Sequence, residues 1–241
     1  MRLDKALTLT GLTRSQARRA AADGRARVNG AVVTDAGADV DPACVTLDGS
    51  PIAHTGEMTL MLNKPAGVLT ATSDRSAPTV LDFVPDELKN RGFGPVGRLD
   101  KDVTGLVLLT TDGQLAHRLI SPKRCVEKVY EARVEGEMDE RALDIIRAGG
   151  IEFQDFVSKP AGAEYLGGGR VRLTLTEGKY HEVKRLCARV GHPVIALKRL
   201  SIAGVSLDPA LREGQIRPVT NGEEARLYAA AGMEYKNSGA E

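Results

Sequence analysis

Three runs of this chain carry residue types that can move protons or attack a bond. The first, at 97–106, places Asp100 and Asp102 in a turn bounded by glycines, directly ahead of an apolar strand at 106–109. Because glycines admit backbone angles closed to other residues, such a turn can hold a carboxylate at the rim of a cleft. The alternative is a hairpin corner in which both acids only bond turn amides.

The second run, at 180–190, has the apolar spacing of an amphipathic helix with one buried stripe. At about 100° per residue, Lys184 falls at the edge of that stripe, whereas His181 and Arg185 point away from the core. From this edge Lys184 can reach an acid in a cleft, or it can extend its ammonium group into water.

The third run is an alternating strand at 126–134, in which Lys128 and Tyr130 share a face. A tyrosine offers an aromatic plane that can stack on a base and a hydroxyl that can move a proton. Packing within the sheet is the structural alternative for Tyr130.

The elements around these runs mix helices and strands without a regular βαβ repeat. This pattern predicts an α+β fold with a large, mainly antiparallel sheet, preceded by a small domain of helices and a hairpin. The predicted helices are a short one ended by Gly11 and those at 14–23, 114–120, 140–148 and 180–190. The predicted strands lie at 25–28, 31–33, 45–48, 58–62, 68–70, 106–110, 126–134, 156–165, 171–175 and 194–202.

A chain of 241 residues is long enough for two domains. Turn residues at 49–56 interrupt the pattern, so we predict one domain at 1–56 including its linker and a second at 57–235. The last residues, 236–241, are expected to be a disordered tail.

Composition excludes several classes of protein. No apolar run approaches the roughly 18 residues that cross a bilayer, and the charged amino terminus is unlike a secretory signal, so a cytoplasmic location is expected. The cysteines and histidines lack the spacing of a zinc site, and no metal is predicted.

The formal net charge of +1 conceals two basic segments. Residues 1–30 hold seven Lys or Arg against two Asp, and residues 178–200 hold six against one Glu, a net charge of +5 in each. Such clustering favours a polymer of phosphates as partner over a membrane or a small acid.

Residues 1–48 resemble the small RNA-binding module named after ribosomal small-subunit protein four. The resemblance rests on the runs RLDK at 2–5, TRSQA at 13–17 and GRARVNG at 24–30. The arginines predicted to contact RNA are Arg2, Arg14, Arg18 and Arg25, and the last three are expected to share one exposed face beside the hairpin.

Nearly the whole chain resembles the RsuA-type family of ribosomal RNA pseudouridine synthases. The motifs that carry this resemblance are KPAG at 64–67, GRLD at 97–100 with TGL at 104–106, EKVY at 127–130 and EGKYHEVKRL at 177–186. The resemblance implies isomerisation of one uridine to pseudouridine in ribosomal RNA, free or in a pre-ribosomal particle. It also implies that no metal, nucleotide or redox cofactor is needed.

The resemblance assigns roles to individual residues. Asp100 matches the essential aspartate, which attacks the sugar or the base or removes a sugar proton. Tyr130 matches the tyrosine that stacks on the target base and assists proton removal, and Lys184 matches the basic partner of the aspartate. Arg98 matches the residue that helps to extrude the nucleotide from its stack. Further substrate contacts are expected from Lys64, His181 and Arg185. Asp102 is expected to have only a structural role in the turn.

Many relatives have arginine where this chain has Lys184. The sequence of residues 180–185 is closer to that of the branch that acts on small-subunit RNA. We therefore expect a small-subunit target. We also expect a monomeric enzyme, because it must approach a large particle. A synthase acting on large-subunit RNA and a non-catalytic ribosome-assembly factor remain alternatives. A glycosidase using Asp100 and Asp102 is disfavoured, because the acid and the base of such an enzyme must flank one bond.

Overall fold

The computed structural model describes residues 1–10, 12–52 and 57–235. These residues fall in two compact units, Met1–Glu57 with Pro85–Gly92, and Met58–Val84 with Phe93–Lys236. Gly11, the end of the predicted linker at 53–56 and the tail predicted at 236–241 lie outside the described residues.

Among its described residues, the first unit contains two α-helices and a small antiparallel sheet. Thr13 caps the second helix, because its hydroxyl accepts from the Gln16 N–H at 3.3 Å while Gln16 accepts from the Thr13 N–H at 2.8 Å. Asn29 and Gly30 both have positive φ, as the tight hairpin turn requires. The elements are α1 (Leu3–Leu7), α2 (Arg14–Ala22), β1 (Ala26–Val28), β2 (Ala31–Val32), β3 (Val45–Leu47) and β4 (Ser50–Pro51), with strand order β2-β1-β3-β4.

The second unit is built on a sheet that has nine strands among the described residues. The strands are β5 (Thr59–Lys64), β6 (Gly94–Pro95), β7 (Thr104–Thr110), β8 (Lys128–Val134), β9 (Gly162–Gly167), β10 (Arg170–Leu175), β11 (Val194–Ile202), β12 (Val205–Ser206) and β13 (Ile216–Pro218). The helices are α3 (Gly113–Ile120), α4 (Glu140–Ala148), α5 (Glu182–Arg189) and α6 (Asn221–Ala230). The main order is β13-β5-β7-β11-β8-β10-β9, with β12 on β11 and β6 on β7, which confirms the predicted α+β fold.

The pairing of β7 with β11 is parallel, whereas every other strand pair in the described part of the chain is antiparallel. It joins Thr104 to Lys198 and Gly105 to Arg199. A Cβ on Gly105 would lie 2.3 Å from the Arg199 carbonyl oxygen, and the φ of Gly105 is +99°. Only glycine therefore lets β7 start against β11, immediately after the turn that carries Asp100.

The core of the second unit lies where α3 and α6 pack on the sheet. Met61 and Leu108 of the sheet, Leu115 of α3 and Leu227 of α6 are each fully buried in it. The central strands β5 and β7 are buried along nearly their whole length, so they lack the alternation of a strand with one wet face.

The sequence prediction differs from the structure at several elements. Residues 68–70 form no strand, and Leu69 makes only an isolated bridge to Thr79. The strand predicted at 156–165 begins at Gly162, and the helix predicted from 180 begins at Glu182. Helix α6 was not predicted.

No helix of the described residues is both long and apolar enough to span a membrane. In the same residues, no group of three His, Cys, Asp or Glu side chains is arranged to hold a metal ion.

Candidate active site

The turn that carries Asp100 is fixed by the segment that follows β5. The Thr70 hydroxyl donates to the Leu99 carbonyl at 2.8 Å and accepts from the Leu99 N–H at 3.1 Å. The Gly67 N–H donates to the Lys101 carbonyl at 2.8 Å. The backbone is therefore held on both sides of Asp100.

Lys64, the last residue of β5, lies beneath this turn. Its side chain is fully buried, and its ammonium group donates to the carbonyls of Pro65, Lys101 and Val103 at 2.9, 3.2 and 2.7 Å. Burial lowers the pKa of Lys64 to about 8. Lys64 thus supports the turn from inside the protein, and the substrate contact expected of it stays a prediction.

Asp100 lies at the edge of a small cavity with its carboxylate about one-third exposed. Its Oδ2 is 3.2 Å from Nζ of Lys184 and 3.4 Å from Nε2 of His181. The lining includes Arg98, the buried ring of Tyr130, and the side chains of His181 and Lys184. The fold thus brings together the three predicted catalytic residues and two of the expected substrate contacts.

Lys184 has a second acidic partner, which the sequence interpretation had assigned to turn structure. Its Nζ donates to both carboxylate oxygens of Asp102 at 2.9 Å. Burial acts to lower the pKa of Lys184, but hydrogen bonds with Asp102 and Asp100 raise it overall. The hydrogen bond from Lys184 also lowers the pKa of Asp102.

Asp100 and Asp102 therefore point towards the same cation, Lys184. The residues between Asp100 and Thr104 form a turn and are not an extended segment, so both carboxylates reach one ammonium group. The two carboxylates share Lys184 as a common cation. A glycosidase instead needs one carboxylic acid and one carboxylate on opposite sides of the bond that it breaks.

His181 does not lie within the helix as predicted but directly before α5, with φ of +52°. This left-handed conformation turns its ring towards Asp100. Glu182 closes the turn, because its carboxylate accepts from the Lys179 N–H at 2.9 Å while its own N–H donates to the Lys179 carbonyl at 3.2 Å.

Glu182 is buried beside a second buried acid, Glu177. Burial raises the pKa of Glu182 to about 7, and the hydrogen bond with Glu177 and its charge add to this effect. Glu177 in turn accepts from the Lys159 N–H at 2.9 Å. This pair was missed in the sequence, although both acids lie in the EGKYHE motif.

Arg185, another expected substrate contact, pairs with an acid and packs on aromatic rings within the protein. It donates to both carboxylate oxygens of Asp155 at 2.6 and 3.1 Å. Its guanidinium lies 4.6 Å from the ring centre of Phe153 and 4.8 Å from that of Phe156. Arg185 does not line the cavity, and the substrate contact expected of it stays a prediction.

Three of the four predicted RNA-binding arginines gather around one buried acid in the first unit. Nε atoms of Arg2, Arg14 and Arg18 lie 3.2, 3.5 and 3.1 Å from the Asp4 carboxylate, which has no exposed surface. Burial opposes ionisation of Asp4, but Arg18 and Arg2 lower its pKa overall. The three arginine side chains are each more than half exposed.

Arg25 does not join this group. Its Nε donates to Asp48 Oδ1 at 2.9 Å, so a different acid fixes its direction. Arg14 and Arg18 are thus anchored by Asp4 and Arg25 by Asp48, and the shared face expected for the three stays a prediction.

The chain matches two known protein families and full-length relatives. Residues 58–189 match the family described as RNA pseudouridylate synthase, and residues 1–43 match the S4 domain. The chain is 42% identical over 231 residues to the uncharacterized RNA pseudouridine synthase YtzG of Bacillus subtilis, covering 92% of this chain and 96% of that one. It is 40% identical over 231 residues to ribosomal small subunit pseudouridine synthase A of Escherichia coli K12, covering 94% of this chain and all of that one.

A solved structure described as a crystal structure of pseudouridylate synthase superposes with a TM-score of 0.68 at 36% identity. The superposition covers 94% of this chain and 99% of that one. With a family match over more than half of its length and full-length relatives at about 40% identity, the chain belongs to the RNA pseudouridylate synthase family.

Proposed function

We propose that this enzyme converts one uridine of small-subunit ribosomal RNA to pseudouridine, with Asp100 as the catalytic residue. The observation that carries the proposal is the Asp100 carboxylate at the edge of a cavity lined by Tyr130, 3.2 Å from the Lys184 ammonium group. The similarity to ribosomal small subunit pseudouridine synthase A, at 40% identity over 94% of the chain, supports the choice of subunit.

The cavity can receive a uridine only after the base leaves its stack in the RNA. Such extrusion costs a few kcal/mol, and contacts with the protein must offset this cost. Tyr130 offers its ring to the extruded base, and Arg98, which is exposed at the cavity rim, occupies the space that the base vacates. His181 bonds the nucleotide beside Asp100.

The isomerisation breaks the bond between C1′ and N1 of the uridine and forms one between C1′ and C5. A proton leaves C5 and N1 gains one, so atoms and electrons balance within the nucleotide and solvent. Asp100 attacks the sugar or the base, or removes a sugar proton, while the first bond breaks. Lys184 keeps its positive charge near neutral pH, favouring ionised Asp100, and Tyr130 assists removal of the C5 proton.

The first unit holds the RNA through phosphate contacts. Arg2, Arg14 and Arg18 are fixed at their inner side by Asp4 and remain more than half exposed. Arg25 adds a further cation anchored by Asp48. We further propose that the enzyme works as a cytoplasmic monomer on ribosomal RNA or a pre-ribosomal particle, with its domains at 1–56 and 57–235.

Pseudouridine mapping of both ribosomal RNAs, in cells with and without the gene, tests the proposal. We expect one small-subunit site to be lost on deletion and restored by the wild type, but not by Asp100→Asn. Asp102→Asn is the matched control, since it removes a neighbouring carboxylate that also bonds Lys184.

Each other outcome points to a different function. Loss of a site in large-subunit RNA would move the substrate to that subunit. Full restoration by Asp100→Asn would refute the catalytic role of Asp100. Unchanged modification of both RNAs, together with a defect in subunit assembly, would favour a non-catalytic assembly factor.

A further inference from the structure

Tyr180 is the most exposed large apolar or aromatic side chain of the described residues, with 71% of its surface exposed. An aromatic ring left in water forgoes the favourable free energy of burial. Its position is also specific, because it directly precedes His181 at the edge of the candidate active site. The ring therefore occupies a place where a ligand can cover it.

The Tyr180 ring is held in a fixed orientation. It stacks on the His181 ring with 3.7 Å between ring centres and 21° between ring planes. The backbone beneath is closed by the bonds between Lys179 and Glu182, and Arg185 donates to the Tyr180 carbonyl at 3.4 Å. Asp155 holds Arg185 in turn, so the turn presents the ring at little further cost in conformational entropy.

The stack has an inner and an outer end. At the inner end, Nε2 of His181 lies 3.4 Å from Oδ2 of Asp100, and His181 lines the cavity. Tyr180 does not line the cavity, and its ring stacks on that of His181, which does. A base at Asp100 cannot at the same time cover the outer face of Tyr180.

We propose that the outer face of Tyr180 binds an unpaired nucleobase that neighbours the target uridine. Extruding one base from RNA removes a stacking partner from the bases beside it, and aromatic side chains commonly replace such partners. The exposed cations Lys179 and Arg98 on the same side of the molecule favour a polyanionic strand over an apolar protein partner. This inference rests on the proposed function and adds to it a contact outside the cavity.

Fluorescence tests the stacking directly, because the chain contains no tryptophan. In Tyr180→Trp, the single indole takes the place of the exposed ring. We expect small-subunit ribosomal RNA, transcribed in vitro, to quench its emission by about half or more, as stacking on a base does. In the control Ile145→Trp, an exposed site on α4, the same RNA leaves emission nearly unchanged.

Steady-state kinetics supply the second measurement. Tyr180→Leu removes the aromatic plane and is expected to raise KM for the RNA about tenfold with kcat within about twofold. Tyr180→Phe keeps the plane and is expected to retain the wild-type KM. If Tyr180 had only a structural role, its replacement would not raise KM while leaving kcat nearly constant.

The outcomes separate this proposal from the proposed function. An unchanged KM in Tyr180→Leu, or equal quenching in Tyr180→Trp and Ile145→Trp, overturns the stacking role. Absence of pseudouridine with the wild-type enzyme refutes the choice of substrate, whereas the fluorescence titration, which needs no turnover, still reports whether this RNA stacks on residue 180.

Discussion

The ammonium group of Lys184 lies 2.9 Å from both carboxylate oxygens of Asp102. It is farther, at 3.2 Å, from the nearest oxygen of Asp100. The cation expected to serve the catalytic aspartate is therefore shared, and its closer partner is the acid two residues further along. Asp102 sets the position of Lys184 as much as Asp100 does.

Replacing Asp102 with Asn tests this sharing. We expect the variant to retain activity within about tenfold of the wild type, because Lys184 can still pair with Asp100. Single-turnover rates with ribosomal RNA measure the effect. A loss as complete as that of Asp100→Asn would mean that Asp102 takes part in the chemistry itself.

Replacing Lys184 with Met removes the shared cation. We expect a loss in kcat of about 100-fold or more, because two neighbouring carboxylates then repel each other beside the substrate. Lys184→Arg keeps the charge and is expected to recover most of the rate. If Met and Arg at 184 behave alike, the role of this residue is packing and not charge.

Replacing Lys64 with Met discriminates between support and substrate contact. Because three carbonyls lose their buried donor, we expect the free energy of unfolding to fall by about 2 kcal/mol, with KM for RNA unchanged. Chemical denaturation and kinetics measure the two quantities. A raised KM at unchanged stability would support the substrate contact expected for Lys64.

Glu182→Gln is expected to change the dependence of stability on pH. The pKa of Glu182 is raised from 4.5 to about 7 in the folded protein, so its contribution to stability is full below pH 4.5 and is lost as pH rises through 7. Glutamine resembles protonated glutamate and cannot ionise. The variant should therefore gain stability over the wild type above pH 7, on the order of 1 to 3 kcal/mol. Parallel pH profiles of unfolding for the two proteins would contradict the raised pKa.

The arginines around Asp4 predict the salt dependence of RNA binding. Removing two phosphate contacts by Arg14→Ala with Arg18→Ala should reduce the slope of log K against log salt by roughly 2. Arg19→Ala, on the same helix but outside the Asp4 group, is the control and should change the slope less. Filter-binding titrations over a range of salt measure the slope. Equal slopes for the wild type and the double variant would reject the phosphate contacts.

The sequence predicted the positions of site residues best where their chemical role admits only a few residue types. The edge position of Lys184 on an amphipathic helix allowed it to reach an acid, and the family resemblance named Asp100 as that acid. The structure places the two charged groups 3.2 Å apart. Lys64 could not be placed in this way, because β5 is buried on both faces and shows no alternation that tells inside from outside.

Two other differences have local causes. His181 has the backbone conformation of a turn although its neighbours have helical spacing, so helical periodicity alone misplaces its ring. Helix α6 buries Glu223 along with Leu227 and Tyr228, which hides its apolar stripe. The capping box of Thr220 and Glu223 was nevertheless legible in the sequence and marks the start of this helix.

The parallel pairing of β7 with β11 also bears on when the enzyme becomes active during its own synthesis. Residues 104 and 198 meet in that pairing, so the sheet beneath Asp100 closes only after a contact between segments more than 90 positions apart. A nascent chain that has exposed α5 but not β11 already carries Asp100, Tyr130 and Lys184. It lacks the strand between β7, which follows the Asp100 turn, and β8, which bears Tyr130. The site therefore assembles late in translation, when the RNA-binding unit has long been free to fold.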